Sequence, residues 1–426
     1  MQKIKLSYGK TYQSISIPSG LKYDILSVKE PKPLTNIFGT LSHSLNYPID
    51  SIPFDSLFTP KDKITIVIPD KTRRCQADKI LDIIISRLNK NGIKNQSVTI
   101  ILARGTHPTH TATEIKKLVG EKIYQSIKII DHDAKKSDEM LHIGVTSRGT
   151  QLKINRKYAG ANKRVIIGAI SHHYYAGFSG GRKLILPGIA SYDSIQQNHS
   201  LVLNKNPMFG KNPDACSGKL YGNPVNEDMI EAAQLAGVNF SINLILNSKN
   251  EIIKIFSGDI IKAHKKGCEF SDRLYHININ NKADCVIASA GGYPTDINFI
   301  QTHKAIEHAS YALKERGKML VLAECNEGIG SDIFLDWFKY SSPEEMEKAL
   351  RKKFIVSGHT ALCSLLKAKK FDIYLYSKLK TSLIQKLHLN PVDNLQSTLN
   401  RLFTKISSHA QVFIIPYSHI LVPCCS

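Results

Sequence analysis

The sequence predicts an α/β protein that contains two domains, each built on a largely parallel sheet. Its 426 residues exceed what one ordinary hydrophobic core holds, so two domains are expected, at residues 1–270 and 271–426. Short apolar runs rich in β-branched residues alternate with amphipathic stretches, a pattern typical of β-α-β units. The last residues of the chain could pack back on the N-terminal domain.

The first domain carries the clearest alternation of strands and helices. Helices are predicted at residues 77–91, 191–203 and 226–237, and a capping box, Thr111 with Glu114, predicts another helix start. The buried strands are predicted at residues 63–69, 97–102, 127–130 and 164–170. A hairpin is predicted over residues 240–256, and a connecting helix over residues 259–275.

The remaining segments predict a second α/β domain and one N-terminal hairpin. The first twenty residues alternate apolar and polar side chains, which indicates a strand and hairpin rather than a signal peptide. In the second domain, strands are predicted at residues 284–288, 318–323, 371–376 and 411–415, with helices between them.

Polar residues follow two of the predicted strands directly. Asp70 and Arg73 come after the first strand, and His107 comes after the second. Ligands bind at the carboxyl ends of strands in open parallel sheets, so these side chains are expected to converge. The alternative is that Asp70 caps a helix while Arg73 and His107 are exposed loop residues.

A glycine-rich stretch after the fourth strand is the strongest local signal. Ser179, Gly180 and Gly181 form a turn that could admit an anion, with Lys183 directly after it and His173 and His199 on either side. The alternative is a tight turn beside a solvated lysine. Neither the dinucleotide fingerprint G-x-G-x-x-G nor the P-loop pattern is present.

Composition narrows the classes of partner. The formal charge of +21 favours anionic ligands, but the basic residues are spread along the chain, so nucleic acid is not expected as a partner. No apolar run is long enough for a membrane helix, and the cytoplasm is the expected location. The eight cysteines include no C-x-x-C pair and are expected to be free thiols rather than zinc ligands.

The glycine-rich stretch resembles the signature of the nickel-dependent lactate racemase family, H-x-x-A-G-F-S-G-G-x-K-x-x-x-P-G-I-A followed by N-H. Here it spans His173 to Ala190, with Asn198 and His199. Further elements are similar on both sides of it. They are Asp70-x-Thr72-Arg73, residues 105–108, the G-G-Y-P-x-D-x-N run at residues 291–298, and Gln301-x-x-Lys304.

The resemblance implies a racemase or epimerase of a short 2-hydroxy acid, lactate or a related acid. The α-proton of such an ionised acid is very weakly acidic, so reversible hydride transfer through a 2-keto acid needs a cofactor. The implied cofactor is a nickel pincer on a pyridinium mononucleotide, tethered to Lys183 by a thioamide, with His199 as the nickel ligand. Asp70, Thr72, Ser179, Gly180 and Gly181 are the other implied cofactor-binding residues.

The same resemblance implies roles for the remaining polar residues. His107 and His173 would be the two bases, one for the hydroxyl of each enantiomer. Arg73, Gln301 and Lys304 would bind the substrate carboxylate, which places the active site in the interdomain cleft. The N-terminal domain would then be the cofactor-binding one, and cofactor-maturation proteins would be transient partners.

Two departures from the family pattern bear on the substrate. Gln76, in the run Arg74-Cys75-Gln76, stands where the family has proline, and Ile300 stands where tyrosine is expected. A larger or less polar acid than lactate is therefore plausible. Two other readings remain open: a non-catalytic phosphate- or nucleotide-binding module on the same fold, and a nucleotide-dependent transferase, although the latter lacks a P-loop.

Overall fold

The structure, a computed structural model, describes residues 2–73, 75–205, 209–407 and 409–425. These residues form two compact units. The first unit contains residues 30–202 and 212–273. The second unit contains the described parts of residues 1–29, 203–211 and 274–426.

The elements alternate along most of the chain. The strands are β1 (Gln2–Tyr8), β2 (Thr11–Ile17), β3 (Tyr23–Ile25), β4 (Ile64–Pro69), β5 (Val98–Ala103), β6 (Lys128–Asp131), β7 (Met140–Val145), β8 (Gln151–Asn155), β9 (Lys163–Ile170), β10 (His172–His173), β11 (Gly177–Phe178), β12 (Phe240–Leu246), β13 (Ile252–Gly258), β14 (His276–Ile279), β15 (Ala283–Ser289), β16 (Leu313–Leu322), β17 (Asp372–Tyr376), β18 (Asn390–Pro391), β19 (Val412–Ile415) and β20 (Val422–Cys425). The helices are α1 (Ile37–Asn46), α2 (Ala77–Lys90), α3 (Ala112–Val119), α4 (Glu121–Ser126), α5 (Arg156–Ala159), α6 (Tyr192–Ser200), α7 (Pro224–Ala236), α8 (Lys262–Tyr275), α9 (Phe299–Ser310), α10 (Asp332–Asp336), α11 (Pro343–Lys352), α12 (Gly358–Lys370), α13 (Thr381–Lys386) and α14 (Leu395–Thr404).

The first unit is built on a six-stranded sheet in the order β13-β12-β9-β4-β5-β6. Every pair is parallel except β12 with β13, which form the predicted hairpin. The central strand β4 is buried along its whole length, and its Ile64, Ile66 and Ile68 pack in one core with apolar residues of α2. The four strands predicted for this unit are confirmed within about one residue.

The second unit has its own six-stranded sheet, in the order β18-β17-β16-β15-β19-β3, and all its pairs are parallel. The predicted fold class, two α/β domains with largely parallel sheets, is thereby confirmed. No helix in the described part of the chain is both long and apolar enough to cross a membrane.

The two units differ from the expected division at residues 1–29 and 203–211. Tyr23 pairs with Val412, so β3 extends the sheet of the second unit. The hairpin β1–β2 buries Leu6 and Ile15 in the same core. The last strand, β20, pairs with β14 and so also belongs to the second unit.

Local signals explain where several helices begin and end. Thr111 accepts a hydrogen bond from the Glu114 amide and Glu114 bonds back, which is the predicted capping box at α3. Ser191 caps α6 through the amide of Ser194. The helix α7 ends at Gly237, which has a left-handed backbone that glycine adopts without strain.

Candidate active site

The site lies where the direction of strand addition changes in the sheet of the first unit. The chain adds β5 and β6 on one side of β4 and then β9 and β12 on the other. Such a switch point leaves a crevice at the carboxyl ends of the two central strands. Asp70 follows β4, His172 and His173 follow β9, and His107 follows β5.

Asp70 and His107 form a carboxylate–imidazole pair at this edge. Asp70 is 1% exposed, and its Oδ2 accepts a hydrogen bond from His107 Nδ1. Its Oδ1 accepts from the Thr72 amide at 3.0 Å and the Thr72 hydroxyl at 2.7 Å. Burial alone would raise the pKa of the Asp70 carboxyl, but the charge of His107 and Arg73 and these hydrogen bonds hold it well below its usual range.

This pairing fixes which nitrogen of His107 can act as a base. An ionised carboxylate only accepts hydrogen bonds, so neutral His107 carries its proton on Nδ1 and its lone pair on Nε2. The His107 side chain is 28% exposed, which leaves it accessible to a small molecule. Arg104 anchors the loop that carries His107. Its guanidinium donates to the His107 carbonyl at 2.5 Å and forms an ion pair with Asp133 at 3.2 Å.

A second cluster gathers around Tyr175. The Lys183 Nζ atom lies 3.3 Å from His173 Nε2 and 5.1 Å from the centre of the Tyr175 ring. The His173 ring meets the Tyr175 ring edge-on, with centroids 4.5 Å apart. The Tyr175 hydroxyl is 2.7 Å from His199 Nε2. One tyrosine therefore contacts the amine and both histidines that the sequence singled out.

Asn198 fixes the tautomer of His199. The Asn198 amide nitrogen donates to Asp228 Oδ2 at 2.8 Å and to the Val225 carbonyl at 3.1 Å, so its oxygen faces His199. That oxygen is 3.1 Å from His199 Nδ1, which must then carry the proton. His199 Nε2 keeps a lone pair, the form in which imidazole binds a metal ion.

The glycine-rich turn is packed closely against protein. A side chain at Gly180 would lie 2.9 Å from the Ala169 carbonyl oxygen, and one at Gly181 would lie 2.5 Å from the His264 ring. Both glycines also have positive φ angles, which other residues adopt only with strain. Ser179 is turned inward, where its hydroxyl donates to Ala169 and accepts from the Ser171 amide. Packing alone thus explains these three residues, and phosphate binding by them stays a prediction.

A buried arginine supports the same turn. Arg182 donates to Asn226 Oδ1, to the Ala176 carbonyl and to His264 Nε2, at 2.7–2.8 Å. Burial lowers the pKa of the Arg182 guanidinium to about 10, and burial lowers the pKa of His264 to about 3, helped by the charge of Arg182. His264 is thus neutral, and the contacts of Arg182 and His264 hold the backbone that precedes Lys183.

Gln301 and Lys304 lie in the second unit, on the first turns of α9. The Lys304 ammonium donates to Gln301 Oε1 at 2.5 Å. The backbone N–H of Gln301 donates to the side chain of Asn298, which caps the helix. They are therefore neighbours, as the Q-x-x-K spacing predicts for a helix. Their binding to substrate stays a prediction.

The two departures from the family pattern have different structural settings. Gln76 has a left-handed backbone with φ +52°, a conformation that proline cannot adopt. Its side-chain amide donates to the Asn250 carbonyl, so this edge of the first unit is shaped by contacts that a proline would not make. Ile300 is half-buried at the start of α9, and Arg74 lies outside the described residues.

Several residues in the site were not predicted from the sequence. Tyr175 occupies a variable position of the signature, and its only signal was an aromatic residue between two candidate site residues. His264 and Asn226 have no local signal, because they reach the glycine-rich turn from distant helices. Within the described residues, no three His, Cys, Asp or Glu side chains form a group that could hold a metal ion.

Comparison with known proteins identifies the family. Residues 8–210 match the lactate racemase N-terminal domain, and residues 279–421 match the lactate racemase C-terminal domain. The lactate racemase of Thermoanaerobacterium thermosaccharolyticum is 35% identical over 356 residues, covering 83% of this chain and 82% of that protein. The lactate racemase of Lactiplantibacillus plantarum is 31% identical over 383 residues, covering 88% of each.

Solved structures agree with this assignment. The lactate racemase apoprotein from Thermoanaerobacterium thermosaccharolyticum aligns with a TM-score of 0.88 and 29% identity, covering 99% of this chain and all of that one. A Thermotoga maritima protein with 16% identity and a TM-score of 0.69 shares the fold over 93% of this chain. This chain is therefore an isomerase of the racemase type, and it belongs to the lactate racemase family.

Proposed function

We propose that this chain racemises a short 2-hydroxy acid, lactate or a close relative, by reversible hydride transfer through the 2-keto acid. The observation that carries the proposal is the arrangement around Tyr175. A buried amine, an imidazole base and an imidazole whose Nε2 accepts from the Tyr175 hydroxyl all contact this one tyrosine. A second base, His107, follows β5, which is separated from β9 by β4 in the same sheet.

The residues present fit a nickel pincer tethered to the protein. Lys183 supplies a buried amine for a thioamide, and His199 supplies a neutral imidazole nitrogen, a ligand suited to Ni²⁺. When bound, the cofactor would accept the hydride from the substrate α-carbon and return it to either face. Asp70, Thr72 and the turn at Ser179, Gly180 and Gly181 are proposed to line the cofactor.

The chain itself would move the hydroxyl proton. His107 Nε2 would take the proton from one enantiomer, and Asp70 would stabilise the imidazolium that forms. His173 would do the same for the other enantiomer. Arg73, Gln301 and Lys304 would bind the carboxylate, Arg73 through two parallel hydrogen bonds. The lone pair of His107 Nε2 and its partial exposure support the first of these roles.

The test combines mass, metal content and activity. The protein should be produced in cells that synthesise the cofactor and carry its maturation proteins. We expect about one nickel per chain, an intact mass above that of the polypeptide, and interconversion of the lactate enantiomers. Lys183→Ala should lose the added mass and the activity together. Protein that carries no nickel and no adduct but still racemises would refute the mechanism, and a loaded but inactive protein would favour a binding module.

A further inference from the structure

The contact between Lys183 and His173 raises a question about how the tether forms. Both side chains are buried, and the Lys183 Nζ atom lies 3.3 Å from His173 Nε2. A lysine ammonium only donates hydrogen bonds, so Nε2 is the acceptor and holds its lone pair towards the lysine. The same nitrogen that would serve as a base in racemisation therefore first faces the amine.

An amine must lose a proton before it can form a covalent bond. At neutral pH a free lysine is almost entirely ammonium, because its usual pKa is about 10.4. A base within hydrogen-bond reach can remove that proton as the bond forms, which contributes roughly 10²–10⁴-fold to such reactions. His173 Nε2 already has this position.

We propose that His173 acts as the general base that activates Lys183 for attachment of the cofactor, before it serves in racemisation. This inference rests on the proposed function, because it concerns the thioamide tether. His173 Nε2 takes a proton from Lys183 Nζ, and the nitrogen bonds to the thiocarboxylate carbon of the mononucleotide. The carbon–oxygen bond breaks, and the oxygen leaves as water with the two protons that the nitrogen has lost. No atom is oxidised or reduced.

Tyr175 contacts both reacting groups, the Lys183 amine and the His173 imidazole, and keeps them close together. The ring centre lies 5.1 Å from Lys183 Nζ, and the ring meets His173 edge-on. An aromatic face attracts a cation, so the ammonium is held within reach of Nε2 until it is deprotonated. Once the nitrogen is acylated it carries no charge, and His173 Nε2 becomes available to a substrate hydroxyl.

The activation step can be tested without nickel or the natural cofactor. The probe is pyridoxal 5′-phosphate, a phosphorylated pyridine aldehyde, whose imine with an amine is trapped by borohydride and located by peptide mass. We expect Lys183 of the cofactor-free protein to be labelled. In His173→Gln, which can accept a hydrogen bond but not a proton, its labelling rate should fall at least tenfold.

Two controls separate activation from folding. His172→Gln changes the neighbouring buried histidine, whose Nε2 faces Asp272 at 2.9 Å, and should leave the labelling rate of Lys183 within twofold. Lys262 pairs with Asp50 and its side chain is 63% exposed, so its labelling gives an internal reference in every variant. His173→Asn provides a second replacement if His173→Gln unfolds at a lower temperature than the unaltered chain.

The outcomes distinguish this inference from the proposed function. Covalent loading in cofactor-producing cells should be lost in His173→Gln and kept in His172→Gln, as measured by intact mass. Equal labelling of Lys183 with and without His173, an equal loss in His172→Gln, or no labelling of Lys183 in the unaltered chain would overturn the inference. A protein that binds no nickel but is labelled at Lys183 at the expected rate would refute the proposed mechanism. It would not contradict the activation of Lys183 by His173.

Discussion

Replacing Asp70 by asparagine tests the proposed base at His107 most directly. Asp70 accepts three hydrogen bonds, two at Oδ1 from Thr72 and one at Oδ2 from His107 Nδ1. Asparagine has the same shape but only one acceptor oxygen. If that oxygen stays with Thr72, the amide nitrogen faces His107, whose proton must then move from Nδ1 to Nε2. The lone pair required for catalysis is lost.

The expected effect on turnover is large and the effect on folding is small. Removing general base catalysis lowers kcat by roughly 10²–10⁴-fold. The free energy of unfolding should fall by only about 2 kcal/mol, because one charge-assisted hydrogen bond is lost and the fold is kept. Enantiomer interconversion followed by polarimetry gives kcat, and thermal unfolding by circular dichroism gives the stability.

Asp62→Asn is the matched control for this experiment. Asp62 is also buried in the first unit and accepts from the Thr59 amide at 2.6 Å and the Asn162 amide at 2.5 Å, and within the described residues it has no hydrogen bond to a histidine. We expect it to lose similar stability while kcat stays within about twofold. The reasoning fails if Asp70→Asn keeps more than a tenth of the unaltered kcat, or if Asp62→Asn loses as much activity.

Three further outcomes are expected. His199→Gln should lose nickel, measured by metal analysis, while circular dichroism still shows a folded protein that unfolds cooperatively; retained stoichiometric nickel would exclude His199 as the ligand. A panel of 2-hydroxy acids should show at least one acid larger than lactate with a higher kcat/KM, because Ile300 gives apolar surface where a tyrosine was expected; preference for lactate over every larger acid would contradict this. Acid should destabilise the protein, because burial lowers the pKa of four histidines below their unfolded value of about 6.5. Unfolding then takes up protons as the pH falls from about 6.5 to 4. For each of these histidines, the free energy of unfolding decreases by up to about 1.4 kcal/mol per pH unit. A midpoint of thermal unfolding unchanged between pH 7 and pH 5 would contradict this assignment, which concerns His132, His264, His303 and His419.

The first unit was largely predictable because its signals are local. The strands β4, β5, β6 and β9 are short β-branched runs that end in polar residues, and such runs are typical of buried parallel strands. Thr111 and Ser191 are residue types typical of helix N-caps, and their side chains cap α3 and α6. Convergence of Asp70 and His107 follows from the parallel arrangement of β4 and β5, which places their carboxyl ends together.

Features that depend on distant residues were not predictable. No local pattern shows that Tyr23 pairs with Val412, so the place of residues 1–29 in the second unit was missed. Glycines in the turn indicate that positive φ angles are possible there, but they do not show which residues pack against the turn. The neighbour of Gly181 is His264, from a helix more than eighty residues later. The 3.3 Å approach of His173 to Lys183 likewise depends on how the turn folds back.

The position of β1, β2 and β3 has a consequence for the order in which the chain can fold during translation. Leu6, Ile15 and Ile17 leave the ribosome well before β19, which begins at Val412 and belongs to the same core. At about 5–20 residues per second, that partner emerges roughly 20–80 s later. Through that interval the hairpin lacks β19, so its apolar face cannot complete the core that it has in the folded chain. A fragment that begins at residue 274 would lack β3 and expose one edge of β19.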